Sequence, residues 1–266
     1  MNRAISAEFR KFFTTRMWWG MGIGVFALGA GLAALTALLG AGGPPDSGRP
    51  AVTLADPALV RSVYTGGLSV AYLLTLAIGV MTIGSEYRHK TITSTFLTNP
   101  RRVQVMVAKI ISLLGIGVLY GAISLIGSVG VGATIIEAKG FAPFPDASIW
   151  RTLALSLLVL GLWALIGLGA GILIPNQVAA LLITVGVAFI VEPIVALVFS
   201  FQSWGASIAP YFPSRATSAI TAGVSQGGSS HQLSWWAGAL VLAAYAAYAA
   251  VMAGIGSLLT VRRDIS

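Results

Sequence analysis

Long apolar runs separated by short polar stretches divide the chain into six segments, at residues 17–39, 66–84, 110–133, 152–174, 178–200 and 235–260. Each holds 19 to 26 residues, and about 20 are needed for a helix to cross a hydrocarbon layer of roughly 30 Å. Five of the six contain no Asp, Glu, Lys or Arg; the exception carries Glu192, followed at once by Pro193. A helix that is apolar all round needs lipid or protein on every side. The pattern predicts an all-α integral membrane protein: one transmembrane domain over residues 1–266, with six transmembrane helices.

The stretches between the runs carry patterns of their own. In residues 1–16 the apolar side chains Ile5, Phe9, Phe12 and Phe13 recur at helical spacing, with Arg3, Ser6, Arg10 and Lys11 opposite. That spacing predicts an amphipathic helix lying in the membrane interface, its cations near lipid headgroups. Residues 85–100 predict a short charged cytoplasmic helix. Ser85 would cap it, Glu86 would sit in its favourable first turn, and Asn99-Pro100 would end it. Tyr87, Ile92 and Phe96 would be its packing residues, with Arg88, His89, Lys90 and Thr91 between them. On the other side, residues 201–234 are broken by Pro210 and Pro213 and turn Gly/Ser-rich at 223–230. Two broken half-helices re-entering the outer leaflet fit that segment, as does an ordered loop over the bundle. Residues 40–65 open with Gly and Pro and end in a short helix, while Pro175-Asn176-Gln177 is a tight turn.

Charge fixes the orientation. With six spans both ends share a side, and that side holds 11 of the Lys and Arg residues against 5 on the other. Cytoplasmic loops carry the excess, so both termini and the 85–102 loop belong in the cytoplasm, in a plasma or inner membrane. The formal net charge of +8 is therefore a topological signal, not a nucleic-acid footprint. The first run exceeds the 7–15 residues of a signal-peptide core and follows Glu8, so it reads as an anchor. Small-residue pairs at Gly117/Gly121 and Gly167/Gly171 permit close helix approach, chiefly within the chain.

Several chemistries find no footing. There is no cysteine for a disulfide, thiolate or Cys-based metal site. The two histidines, His89 and His231, fall on opposite predicted sides. A phosphate-binding Gly-x-x-x-x-Gly-Lys-Ser/Thr loop needs a lysine after glycine, and none of Lys11, Lys90, Lys109 and Lys139 follows one. No catalytic, metal or cofactor site is expected in this chain.

The stretch Glu86-Tyr87-Arg88-His89-Lys90-Thr91-Ile92, then Thr98-Asn99-Pro100-Arg101-Arg102 and Lys109, resembles the pattern of ABC-2 type permeases, the transmembrane subunits of one group of ATP-binding-cassette exporters. Lys90 departs from it, standing where that family usually has Gly. The N-terminal Ser6–Lys11 helix resembles the family as well. The resemblance implies an interfacial helix at 1–16 and a coupling helix within 85–100 that fits a groove on a separate ATPase. It also implies an outer re-entrant cap at 201–234, with Glu192, Pro193, Pro210 and Pro213 as gate or cap residues. ATP and Mg would be bound by the partner ATPase, and the permease would pair with a second copy or a paralogue. The substrate would be hydrophobic or amphiphilic: a drug, lipid or peptide. The residues leave one rival open, a proton-coupled secondary transporter using Glu192, since an ionisable group inside a span is a functional candidate in itself.

Overall fold

The apolar runs become helices, and most of those helices outrun them. A computed structural model describes residues 1–39, 54–91, 102–221, 234–247 and 251. Among these there is no strand, and five helical stretches are long and apolar enough to cross a membrane. They are Met17–Leu39 (α2), Pro57–Arg88 (α3, Pro57–Thr65, and α4, Leu68–Arg88), Arg102–Ala138 (α5), Ser148–Leu173 (α6), and Gln177–Ser200. The last joins α7 (Gln177–Gly186) to α8 (Glu192–Ser200) through a π-turn, Val187–Val191. A helix α1 (Asn2–Phe13) precedes them. After α8 come α9 (Ser203–Ile208), a 3-10 turn at Ala209–Tyr211, α10 (Pro213–Thr221) and α11 (Trp235–Ala247). The sixth predicted run, 235–260, is described as helix only over α11 and Val251; its remainder lies outside the described residues.

Hydropathy finds where lipid begins, whereas a helix stops where its carbonyls find caps. The run at 110–133 is therefore only the middle of α5, whose 37 residues extend for about 55 Å at 1.5 Å per residue. Its C-terminal end is followed by Lys139, whose ammonium donates to the carbonyl of Ala37 at 2.8 Å and so caps the C-terminus of α2. α3 begins as sequence chemistry dictates, with the Asp56 carboxylate accepting from Ala58 N at 2.8 Å and Pro57 at the first position.

Inside a bilayer, apolar side chains gain nothing by leaving lipid for one another, so helices associate by close packing and polar contacts. Glycine supplies the closeness. A Cβ on Gly79 of α4 would collide with the Ala164 carbonyl of α6, and one on Gly167 of α6 with the Leu76 carbonyl of α4. Gly117 on α5 meets Gly161 on α6 in the same way. Both small-residue pairs of the sequence thus face neighbours within the chain. Hydroxyls in the spans bond back to their own helices: Thr36 to Leu32 O, Thr75 to Tyr72 O, Thr82 to Ile78 O and Ser156 to Thr152 O. Such bonds satisfy the hydroxyl without opening a polar path.

Candidate functional site

Four charged side chains from three helices meet at the end of the bundle that holds the N-terminal helix α1. Lys109, two turns into α5 and directly before its apolar run, is 1% exposed. Its ammonium donates to Glu8 Oε2 of α1 at 2.7 Å and to Glu86 Oε1 of α4 at 2.9 Å. Lys11 of α1 donates to the other Glu8 oxygen at 2.7 Å and again to Glu86 Oε1 at 3.0 Å. Two carboxylates and two ammoniums balance, and each carboxylate touches both cations. Burial pushes the Glu8 carboxyl up, but the Lys109 and Lys11 ammoniums outweigh it and hold Glu8 below the usual carboxylate range. Burial likewise pulls Lys11 down, and its bonds to Glu8 and Glu86 more than restore it, so Lys11 lies above the usual ammonium range.

The local sequence explains the placement. Glu8 and Phe12 are one turn apart on α1 and are its two buried residues. Phe12 meets Tyr120 of α5 edge-on at 6.1 Å, and Phe9 lies over Gly115, where a Cβ would come within 2.8 Å of its ring. α1 thus docks on α5 by aromatic packing and ion pairing together. The Thr14 and Thr15 hydroxyls close α1 by donating to its last carbonyls, those of Arg10, Lys11 and Phe12.

This geometry alters several expectations. Ser85 does not cap a new helix, because α4 runs unbroken to Arg88 and the Ser85 hydroxyl donates back to Thr82 O. Glu86 therefore sits in a last turn, where the helix dipole disfavours a carboxylate, and Lys11 and Lys109 offset that. Lys11, half-exposed, also bonds to both glutamates, a role beyond that of a headgroup contact. Of the apolar face drawn from sequence, Phe12 is buried, Ile5 and Phe9 are half-buried, and Phe13 is exposed beside Trp18. Arg10 is exposed as expected.

Beyond Glu86, Tyr87 packs half-buried against the core, while Arg88, His89, Lys90 and Thr91 are exposed. Ile92 and Phe96, with most of the 85–100 segment, lie outside the described residues. Lys90 has φ of 55°, the left-handed conformation that follows helix C-termini and favours glycine. The position is a helix terminus, not the exposed helix face anticipated.

At the opposite end, Glu192 opens α8 and its Oε1 accepts from Ser214 N of α10 at 2.7 Å. Pro193 follows it in the first turn of α8, Pro210 lies in the 3-10 turn, and Pro213 begins α10. No sequence pattern marks Glu8 and Lys109 as a pair, although Glu8-x-x-Lys11 is an i,i+3 ion-pair spacing. Among the described residues no group of three or more His, Cys, Asp or Glu could hold a metal ion.

No family model, curated protein or solved structure matches the chain. The reading of the site rests on its geometry and on the residues quoted above.

Proposed function

We propose that this chain is the permease subunit of an ATP-driven exporter of the ABC-2 type. It would have six spans, both termini in the cytoplasm, and a re-entrant outer segment formed by α9, the 3-10 turn and α10. One observation carries the reading. Glu86 and Lys109, two charged residues of the quoted motif, bond to each other and to the N-terminal helix, while Lys90, at the motif position where glycine is usual, has a left-handed backbone of the kind glycine favours. A motif whose members serve one joint at one helix end is more than a chance string of polar residues.

The mechanism follows from that joint. The 85–109 segment would receive a push from a partner ATPase that binds ATP and Mg. Because α4, α5 and α1 share one buried ion cluster, the push would move them as a body and would also shift α1 in the membrane interface. Two such permease chains, identical or paralogous, would enclose a path for an apolar or amphiphilic substrate. For the proton-coupled rival, Glu192 is the only candidate inside a span, and its bond to a backbone N–H favours a structural role over proton exchange.

The test is purification of the chain from its native membrane in mild detergent, with ATP hydrolysis assayed. A co-purifying ATPase that is lost when residues 88–97 are scrambled supports the reading. A chain that comes through alone, and whose transport tracks a proton gradient abolished in Glu192→Gln, overturns it.

A further inference from the structure

At the outer end of the bundle a ring of contacts closes on itself. It starts in the π-turn, where the Ala188 carbonyl accepts from the Tyr72 hydroxyl of α4 at 3.5 Å. The Tyr72 ring lies against Trp163 of α6, tilted by 31° with centroids 4.3 Å apart. Trp163 Nε1 donates to Thr217 Oγ1 of α10 at 2.9 Å. Three residues earlier in α10, Ser214 N donates to Glu192, which adjoins the π-turn where the ring began.

Two features of this ring are unusual in a membrane helix. The first is its cap. The early N–H groups of a helix need acceptors, usually supplied by a polar side chain just before the first turn. α10 has Phe212 and Pro213 there, so a carboxylate 22 residues away performs the local residue's task. The second is the π-turn itself. Pro193 has no N–H and its ring crowds the carbonyl one turn back, and the chain answers with a widened turn in which Glu192 N bonds to Val187 O. π-turns are one-turn irregularities that a helix can gain or lose locally.

We propose that Glu192 is a latch that holds α10 to the fifth span, with the Val187–Val191 turn as the hinge beneath it. When Glu192 leaves Ser214, the N-terminus of α10 loses its acceptor, the Tyr72–Trp163–Thr217 side remains, and α10 pivots about that side. As a gate for exported material this rests on the transport reading above; as a latch it does not.

The chain contains no native cysteine, which makes distance labelling direct. Cysteines at Leu182, 67% exposed on α7, and at Tyr211, 52% exposed just before the released end of α10, would carry spin labels on the full chain in lipid bilayers. The parent is expected to give a narrow distance distribution. Glu192→Ala is expected to add a longer population, the open fraction rising roughly tenfold or more, the scale for losing a hydrogen bond to a charged group. Glu192→Gln keeps an acceptor oxygen and is expected to stay near the parent. An unchanged distribution in Glu192→Ala overturns the latch. A second label pair at Leu35 and Leu158, both exposed on α2 and α6, reports the packed bundle; equal broadening there means general loosening and also overturns it. No ATPase or substrate enters this measurement, so its failure is separate from failure of the transport reading.

Discussion

α4 and α6 approach until their backbones touch, at Gly79 against Ala164 and Gly167 against Leu76. The fifth span, Gln177–Phe199, approaches its own chain so little that 11% of its apolar window is buried, against 56% for α6. The charges differ in the same sense. Inner Glu8 and Glu86 each meet two ammoniums, whereas Glu192 on the fifth span meets one backbone N–H. The fifth span is the more apolar of the two in sequence, with mean hydropathy 2.6 against 2.3 for α6 and 1.9 for Pro57–Arg88, so hydrophobicity does not decide which is rigid. Backbone proximity and the number of charged partners do, because lipid competes for apolar surface but not for a buried ion pair. The first region acts as one body; the fifth span is a face joined to it at few points.

The most severe way to break that body is to remove its central cation. Lys109→Met leaves two inward carboxylates with only the half-exposed Lys11 between them. Removing one partner of a buried pair costs about 3–5 kcal/mol, so α1 is expected to come away from α5. Hydrogen exchange over residues 2–13 checks this: protection should fall sharply there and persist along α6. Adding Glu86→Gln to that variant should recover part of the loss, since it removes the uncompensated charge.

A smaller effect sharpens the contrast between the regions. Gly167→Ala drives a methyl group into the Leu76 carbonyl, and overpacking of this kind costs about 1–3 kcal/mol. Gly186→Ala, on the fifth span, meets nothing within 4 Å. Alanine is also the better helix former by about 1 kcal/mol. Thermal unfolding in one detergent should lower the midpoint for the first variant and leave or raise it for the second. Equal losses would show that the fifth span is packed as tightly as the rest.

How much of this was readable beforehand varies with the physics of each feature. Five of the six expected spans are legible because twenty consecutive apolar residues have few other uses. α1 was legible too, from Ile5, Phe9 and Phe12. Its partner was not: an aromatic stripe predicts an apolar surface and cannot say whether lipid or α5 will cover it. Lys11 and Lys109 looked like orientation charges, since a lysine beside a span fixes topology whether or not a glutamate later neutralises it. Ser85-Glu86 imitated a helix start because Ser and Glu are the usual residues there, and only the Ser85 bond to Thr82 shows a helix continuing. The outer ring was beyond reach, since Trp163 and Thr217 are 54 residues apart and neither side chain is unusual in its own helix.

The smallest expected effect lies where the rigid body ends. Lys90 holds φ of 55° just after α4, and a residue with a Cβ pays about 1–2 kcal/mol in that conformation. Glycine escapes the clash but has more freedom to lose on folding, so Lys90→Gly is expected to stabilise by about 0.5–1 kcal/mol. Chemical denaturation in detergent measures it, with hydrogen exchange at Tyr87–Lys90 as the local reading. A gain means that the body stops at Arg88 and that the lysine side chain adds nothing to the fold, leaving its ammonium free to serve an outside surface. A loss means the ammonium makes a contact worth more than the strain it imposes, and the body then extends past the helix end into the loop. Under the transport reading the first outcome carries a companion: Lys90→Gly restores the residue usual in the family it resembles, so association with the ATPase should persist while the chain itself becomes more stable.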